Sequence, residues 1–238
     1  MRKHGTILIL FILILSFVLA GCGGEEPASG QITPNTTGAA VVETTAPLEE
    51  APASLGRLEG GTYTNTYAGY GCELDSSWVY YGAEELQELP ENIQEQLAGS
   101  ELGDSMEGIS QITDMKAENA TDLTTINVLY TKLGLEERLA YAVLSEEDIA
   151  DTILSQQEAL TEAYSQMGIE VLSMEKREVT FLGQPRIAVW TETNAQGIPY
   201  YILQLADYSR GQYGVTLTLA SYVEDNTESL LDLFYAVS

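Results

Sequence analysis

Residues 170–222 read EVLSMEKREVTFLGQPRIAVWTETNAQGIPYYILQLADYSRGQYGVTLTLASY, and this stretch decides the fold. It breaks into four β-rich runs: Glu170 to Thr180, Arg186 to Thr193, Ile198 to Tyr208 and Gln212 to Tyr222. The breaks are Gly183-Gln184-Pro185, Asn194-Ala195-Gln196-Gly197 and Arg210-Gly211, short segments rich in turn formers. Connections this short force consecutive strands to run antiparallel. In the last run Val215, Leu217 and Leu219 alternate with Thr216 and Thr218, which predicts one buried face and one lighter face.

Upstream, Ser145-Glu146-Glu147-Asp148 has the form of a capping box, with Asp standing where Glu or Gln is usual. Behind it Ile149, Ile153, Leu160, Tyr164 and Met167 fall on one stripe of a helix, and Gly168 supplies its C-terminal stop. Before that helix lies a hairpin, Ser110 to Glu118 and Thr124 to Thr131 around the turn Asn119-Ala120-Thr121-Asp122, and then an amphipathic piece from Leu135 to Leu144. Ile126, Val128 and Tyr130 form the inward set of the second hairpin strand. Nearer the N-terminus, Thr62 to Thr66 and Tyr70 to Leu74 read as strands about a turn at Ala68-Gly69. Tyr70, Cys72 and Leu74 share one packed face, with Gly71 and Glu73 on the other, so Cys72 is expected as a buried, inert thiol. Ala83 to Leu89 and Pro90 to Ala98 read as short acidic helices, Gly99 to Gly108 as a loop, and Asn226 to Val237 as a terminal helix. No internal repeat is visible. Together these elements predict an α+β domain, an antiparallel β-sheet packed by helices.

The N-terminus has a different character. Arg2 and Lys3 precede an apolar run from Ile7 to Ala20, and Leu19-Ala20-Gly21-Cys22 closes it with small residues before a cysteine. That order is a secretory signal peptide, and the apolar run is too short for a spanning helix, which needs roughly 20 residues. The four closing residues resemble the lipobox of bacterial lipoproteins. The resemblance implies removal of residues 1–21, lipidation of Cys22 and anchoring to the bacterial membrane from the extracytoplasmic side. Gly23 follows, so the aspartate that retains some lipoproteins in an inner membrane is missing. Residues 22–57 carry Pro27, Pro34, Pro47 and Pro52 among Thr, Ala, Gly and Glu, which makes them a disordered tether to a domain at 58–238.

Within that domain, Tyr63-x-Asn65 leads through Gly69-Tyr70 to Trp78. A long helix, Phe181-Leu182-Gly183-Gln184-Pro185, a long hairpin and a terminal helix follow. This order resembles the PsbP-like fold, and bacterial lipoproteins of the DcrB and LpqN type are similar. The resemblance implies an αβα sandwich whose members mostly bind or assist other proteins. Asp75 stands where that pattern has a proline before the Trp.

Composition narrows the chemistry. The formal net charge is −26, and loss of Arg2 and Lys3 with the signal takes it to −28. Such a surface repels nucleic acid and anionic lipid alike. Of the two cysteines, lipidation of Cys22 leaves Cys72 without a disulfide partner. The one histidine is His4, inside the signal, so the processed chain has none for a Ser-His-Asp or Cys-His nucleophile or a histidine-ligated metal. Ser173-Met174-Glu175-Lys176 spells S-x-x-K but falls on a predicted strand without its companion motifs. Asp104-Ser105-Met106-Glu107-Gly108 lacks the alternating oxygen ligands of a calcium loop, and Asp225, Asn226 and Glu228 suit a helix cap better than an ion. In Tyr80-Tyr81 and Tyr200-Tyr201, alternation sends one ring of each pair inward, which favours packing over an aromatic platform.

The expectation is a non-enzymatic lipoprotein with no cofactor or metal, binding an envelope protein or polymer. The alternative is a carboxylate- or metal-dependent hydrolase acting on cell-wall material. A solute receptor would need two lobes, for which the length leaves no room.

Overall fold

The computed structural model describes residues 56–87, 89, 109–209 and 211–237. Among these residues eleven strands build two antiparallel sheets. The small sheet has the order β1-β2-β3-β11, from β1 (Arg57–Glu59), β2 (Thr62–Asn65), β3 (Tyr70–Glu73) and β11 (Phe234–Ala236). The large sheet has the order β4-β5-β6-β10-β9-β8-β7. Its strands are β4 (Trp78–Tyr80), β5 (Gln111–Asn119), β6 (Thr124–Lys132), β7 (Ile169–Phe181), β8 (Gln184–Ala195), β9 (Ile198–Asp207) and β10 (Tyr213–Tyr222). All the pairings are antiparallel, as the short connections require.

Three layers result. One face of the large sheet packs on α1 (Leu135–Tyr141), α2 (Glu146–Ser155) and α3 (Gln157–Gln166) around Leu129, Ile153, Leu160, Tyr164, Tyr200 and Ile202. The other face packs on the small sheet around Tyr63, Cys72, Ile126, Val128, Leu203 and Leu217. The α+β architecture read from the four-strand stretch is the observed one.

Particular boundaries differ, each for a physical reason. The single helix expected after Ser145 breaks at Gln156, whose φ and ψ of −98° and 10° are not helical, into α2 and α3. Its stripe survives the break, because Ile149, Ile153, Leu160 and Tyr164 are all buried against the sheet. The capping box is real: Asp148 N–H donates to Ser145 Oγ at 3.2 Å and Ser145 N–H to Asp148 Oδ2 at 2.9 Å. The β7–β8 turn is the two-residue Leu182-Gly183, both at positive φ, and Gln184 and Pro185 already belong to β8.

The largest correction is the C-terminus. The expected helix from Asn226 to Val237 is a short 3₁₀ turn, Ser229–Leu233, followed by β11. β3 offers a free edge there, and Phe234 pairs with Cys72 while its ring meets Tyr70 and Phe181 edge-on at 5.5 and 5.6 Å between centroids. An aromatic run that completes a sheet overrides weak helical periodicity.

β2 and β3 agree with the strands read from the sequence. Cys72 is fully buried with Tyr70 and Leu74 on the same core. Residues 83–87 are helical; the expected helix at 90–98 and the expected loop at 99–108 lie outside the described residues, as do the expected signal, Cys22 and nearly all of the expected tether. No helix among the described residues is long and apolar enough to cross a membrane.

Candidate functional site

Antiparallel pairing brings three connections to one end of the sandwich: β3–β4, β5–β6 and the segment after β10. Between them lies an open groove of about 710 Å³. Each wall is held by local hydrogen bonds that its own sequence supplies. In the β3–β4 connection, Asp75 Oδ1 accepts from the Ser77 hydroxyl and, at 2.8 Å, from Ser77 N–H. These bonds hold the Asp75 carboxyl below the usual range. In the β5–β6 connection, Asn119 Oδ1 accepts from the N–H groups of Thr121 and Asp122 at 2.9 and 3.2 Å. Asn119 Nδ2 donates to Ser77 Oγ at 2.9 Å, so the two loops are tied together.

The third wall follows β10. Tyr222 N–H donates to Leu123 O at 3.0 Å and Val223 N–H to Pro199 O at 2.9 Å. Leu123 and Val223 both adopt left-handed backbone, φ 52° and 70°, which is uncommon for leucine and an outlier for a β-branched valine. Both side chains stand about half exposed, 49% and 57%, in the groove lining. Trp78, Tyr222 and Leu233 extend this apolar surface; Asp75, Asp122 and Glu224 give it negative charge. Thr124 lies on the lining at 3% exposure, with its hydroxyl unmatched by any hydrogen-bond partner.

Beside the groove, Asp225 is part of a separate cluster. Its Oδ2 accepts from Trp190 Nε1 at 2.9 Å and from the Arg177 guanidinium at 3.1 Å, and its Oδ1 from Thr227. Burial works to raise the Asp225 carboxyl, but these bonds outweigh it and hold it below the usual range. Arg177 also lies 3.5 Å above the Trp190 ring. Asp225 is therefore the centre of an ion-pair cluster and not the helix cap read from sequence; Glu228 takes the cap position of the 3₁₀ turn, and its side chain makes no capping hydrogen bond.

The other singled-out residues fall into structural roles. Lys176 of the S-x-x-K run is on β7, paired with Glu147 at 3.0 Å and Asp151 at 2.8 Å. Tyr80 O–H donates to Gly61 O on the small-sheet side, and Tyr81 O–H to Glu118. Tyr200 is buried under the helices while Tyr201 stacks on Trp190. Both rings of this pair are packed, on opposite faces, because both faces of the sheet are covered. Asp104 to Gly108 and Cys22 lie outside the described residues. Among the described residues, no three acidic, histidine or cysteine side chains converge closely enough to hold a metal ion.

One cluster has no sequence signature. A bulge between Thr113 and Met115 turns Asp114 toward the small sheet. Its carboxylate accepts from Tyr63 O–H at 2.5 Å, Asn65 Nδ2 at 2.7 Å and Gly56 N–H at 2.9 Å. Asn65 Nδ2 reaches Tyr130 as well, at 2.6 Å. Burial nevertheless dominates and raises the Asp114 carboxyl above the usual range. A residue pattern cannot announce a bulge, so this cluster was not foreseeable.

No family model matches the chain, and no curated protein matches it. Among solved structures the chain is similar to cyanobacterial PsbP (CyanoP) from Synechocystis sp. PCC 6803. The identity is 13%, over 81% of this chain and 100% of that one, at a TM-score of 0.39. A superposition that loose carries nothing about the groove, whose description stands on this chain's own geometry.

Proposed function

We propose that the chain is a membrane-anchored extracytoplasmic lipoprotein that binds a partner in the cell envelope and catalyses no reaction. The anchor is the lipid on Cys22, and the loop-end groove is the recognition surface. The observation that carries the binding role is how the groove's polar groups are employed. Asp75 is engaged by Ser77, and Asn119 by Ser77, Thr121 and Asp122, so they fix the loops' shape. What faces outward is a surface of apolar side chains, Leu123 and Val223 about half exposed, beside the carboxylates of Asp75, Asp122 and Glu224, which suits recognition. The anchor rests on Arg2 and Lys3, the apolar run and Leu19-Ala20-Gly21-Cys22.

Two measurements test the two halves. Wild type should partition into detergent and Cys22→Ser should not; retention of the serine variant in detergent refutes the anchor. A photo-cross-linker placed at Leu123 should give a discrete adduct in intact membranes, and one at exposed Glu158 on α3 should not. Equal labelling from both positions removes the groove from the function.

A further inference from the structure

We infer that the groove takes a short extended segment of a partner protein in which lysine or arginine alternates with large apolar side chains. This rests on the binding role proposed above and gives the partner its chemistry.

Charge comes first. Asp75, Asp122 and Glu224 line the groove, and none of its described lining residues is lysine or arginine. Arg177, in the adjoining cluster, is already shared between Asp225 at 3.1 Å and Glu228 at 3.7 Å and stacked on Trp190. Positive charge to complement the three lining carboxylates therefore has to come from the ligand.

The apolar half of the lining excludes simpler occupants. Leu123 and Val223 hold side chains in the groove by way of left-handed backbone that leucine and valine ordinarily avoid. A bare metal ion would leave those side chains in water, and the described carboxylates do not converge on one point. A purely apolar ligand would cover carboxylates without pairing them, which is strongly unfavourable. A chain that offers a cation and a large apolar side chain in turn satisfies both. The volume of about 710 Å³ falls within the usual range for ligand sites.

The test uses the full chain in non-ionic detergent micelles and a fluorescent hexapeptide of sequence KLKWKL, read by anisotropy against empty micelles. Companion peptides replace every lysine with glutamine or with glutamate. The lysine peptide should bind, more weakly as salt rises, and the companions should not. Asp122→Asn with Glu224→Gln should weaken it at least tenfold. Leu123→Gly with Val223→Gly should weaken it at least fivefold while the melting temperature holds or rises, since glycine accepts positive φ without strain. That second variant separates lost binding from lost folding. Equal binding of the glutamine peptide, indifference to both double variants, or displacement of the peptide by calcium alone would each overturn the inference. A discrete cross-link from Leu123 with no binding of the lysine peptide would sink this partner chemistry and leave the binding role standing.

Discussion

The two faces of the large sheet are made by the same strands and differ in kind. From β10, Val215, Leu217 and Leu219 point to the small sheet, while Thr216, Thr218 and Ala220 point to the helices. All six are at most 4% exposed. On the small-sheet side the interior is aromatic and aliphatic, and the polar ends of Tyr63, Asn65 and Tyr130 gather in one network around Asp114. On the helix side a polar line crosses four neighbouring strands, Lys116 beside Asn127, then Thr218, then Gln204. Lys116 is buried, salt-bridged to Glu118 at 2.9 Å and lying 3.9 Å over the Tyr81 ring. Gln204 Nε2 donates to Thr218 Oγ1 at 3.1 Å, while both amide atoms of Asn127 lack a partner. Alternation along a strand thus separates two interiors here, one aromatic and aliphatic and one apolar with a polar line across it, and does not separate inside from outside.

The strongest way to break the comparison is to truncate one residue on each face of β10. Leu217→Ala should cost about 2–5 kcal/mol, from lost transfer energy and the cavity left between two sheets. Its neighbour Thr218→Ala, which loses one hydrogen bond, should cost about 1 kcal/mol. Urea denaturation of both variants checks this; equal costs would mean that the two faces are packed alike.

pH sharpens the contrast, because one face holds a carboxyl and the other an amine shifted by burial. Asp114 has a folded pKa above its unfolded value of about 3.9. Its contribution to stability is complete below that unfolded value and is lost as pH rises through the folded one. Lys116 has a folded pKa below its unfolded value of about 10.4. Its contribution is present above the unfolded value and is lost as pH falls through the folded one. Asp114→Asn should therefore flatten the acid limb of the stability curve, and Lys116→Met the alkaline limb. Exchange of those two effects would reverse the assignment of the shifts.

Much of this fold was legible because it rests on local rules. Short turns fixed the antiparallel order of β7 to β10, and Ser145 with Asp148 marked the start of α2. The Tyr70, Cys72 and Leu74 face followed from alternation alone. What escaped depends on contacts distant in sequence. Thr216 and Thr218 read as a lighter face because no pattern within β10 reveals that helices cover it. β11 formed because β3, more than 150 residues away, has an edge to fill. The groove was hidden for a third reason: leucine and valine at positive φ carry no sequence signal, whereas glycine or asparagine would have.

The smallest expected effect tests the polar face most directly. Asn127 is 1% exposed, and both atoms of its amide are without partners. An unpaired buried amide forfeits its hydration and gains nothing in return, a penalty of about 1–3 kcal/mol. Asn127→Leu keeps the length of the side chain, removes both polar atoms and suits a strand that already carries Ile126 and Val128. Against this stands the change from a planar amide to a tetrahedral carbon with two methyl groups, which have to fit beside Lys116 and Thr218 in the same cross-strand line. The two effects nearly cancel, so the leucine variant should lie within about 1 kcal/mol of wild type, on the stabilising side if the sheet accommodates the two methyl groups. Denaturant midpoints measured beside those of Leu217→Ala give the answer. A loss as large as that of Leu217→Ala would show that the amide is paired in solution and that the line from Lys116 to Gln204 is a continuous hydrogen-bonded network. In that event the two faces would differ in composition only, each of them fully satisfied.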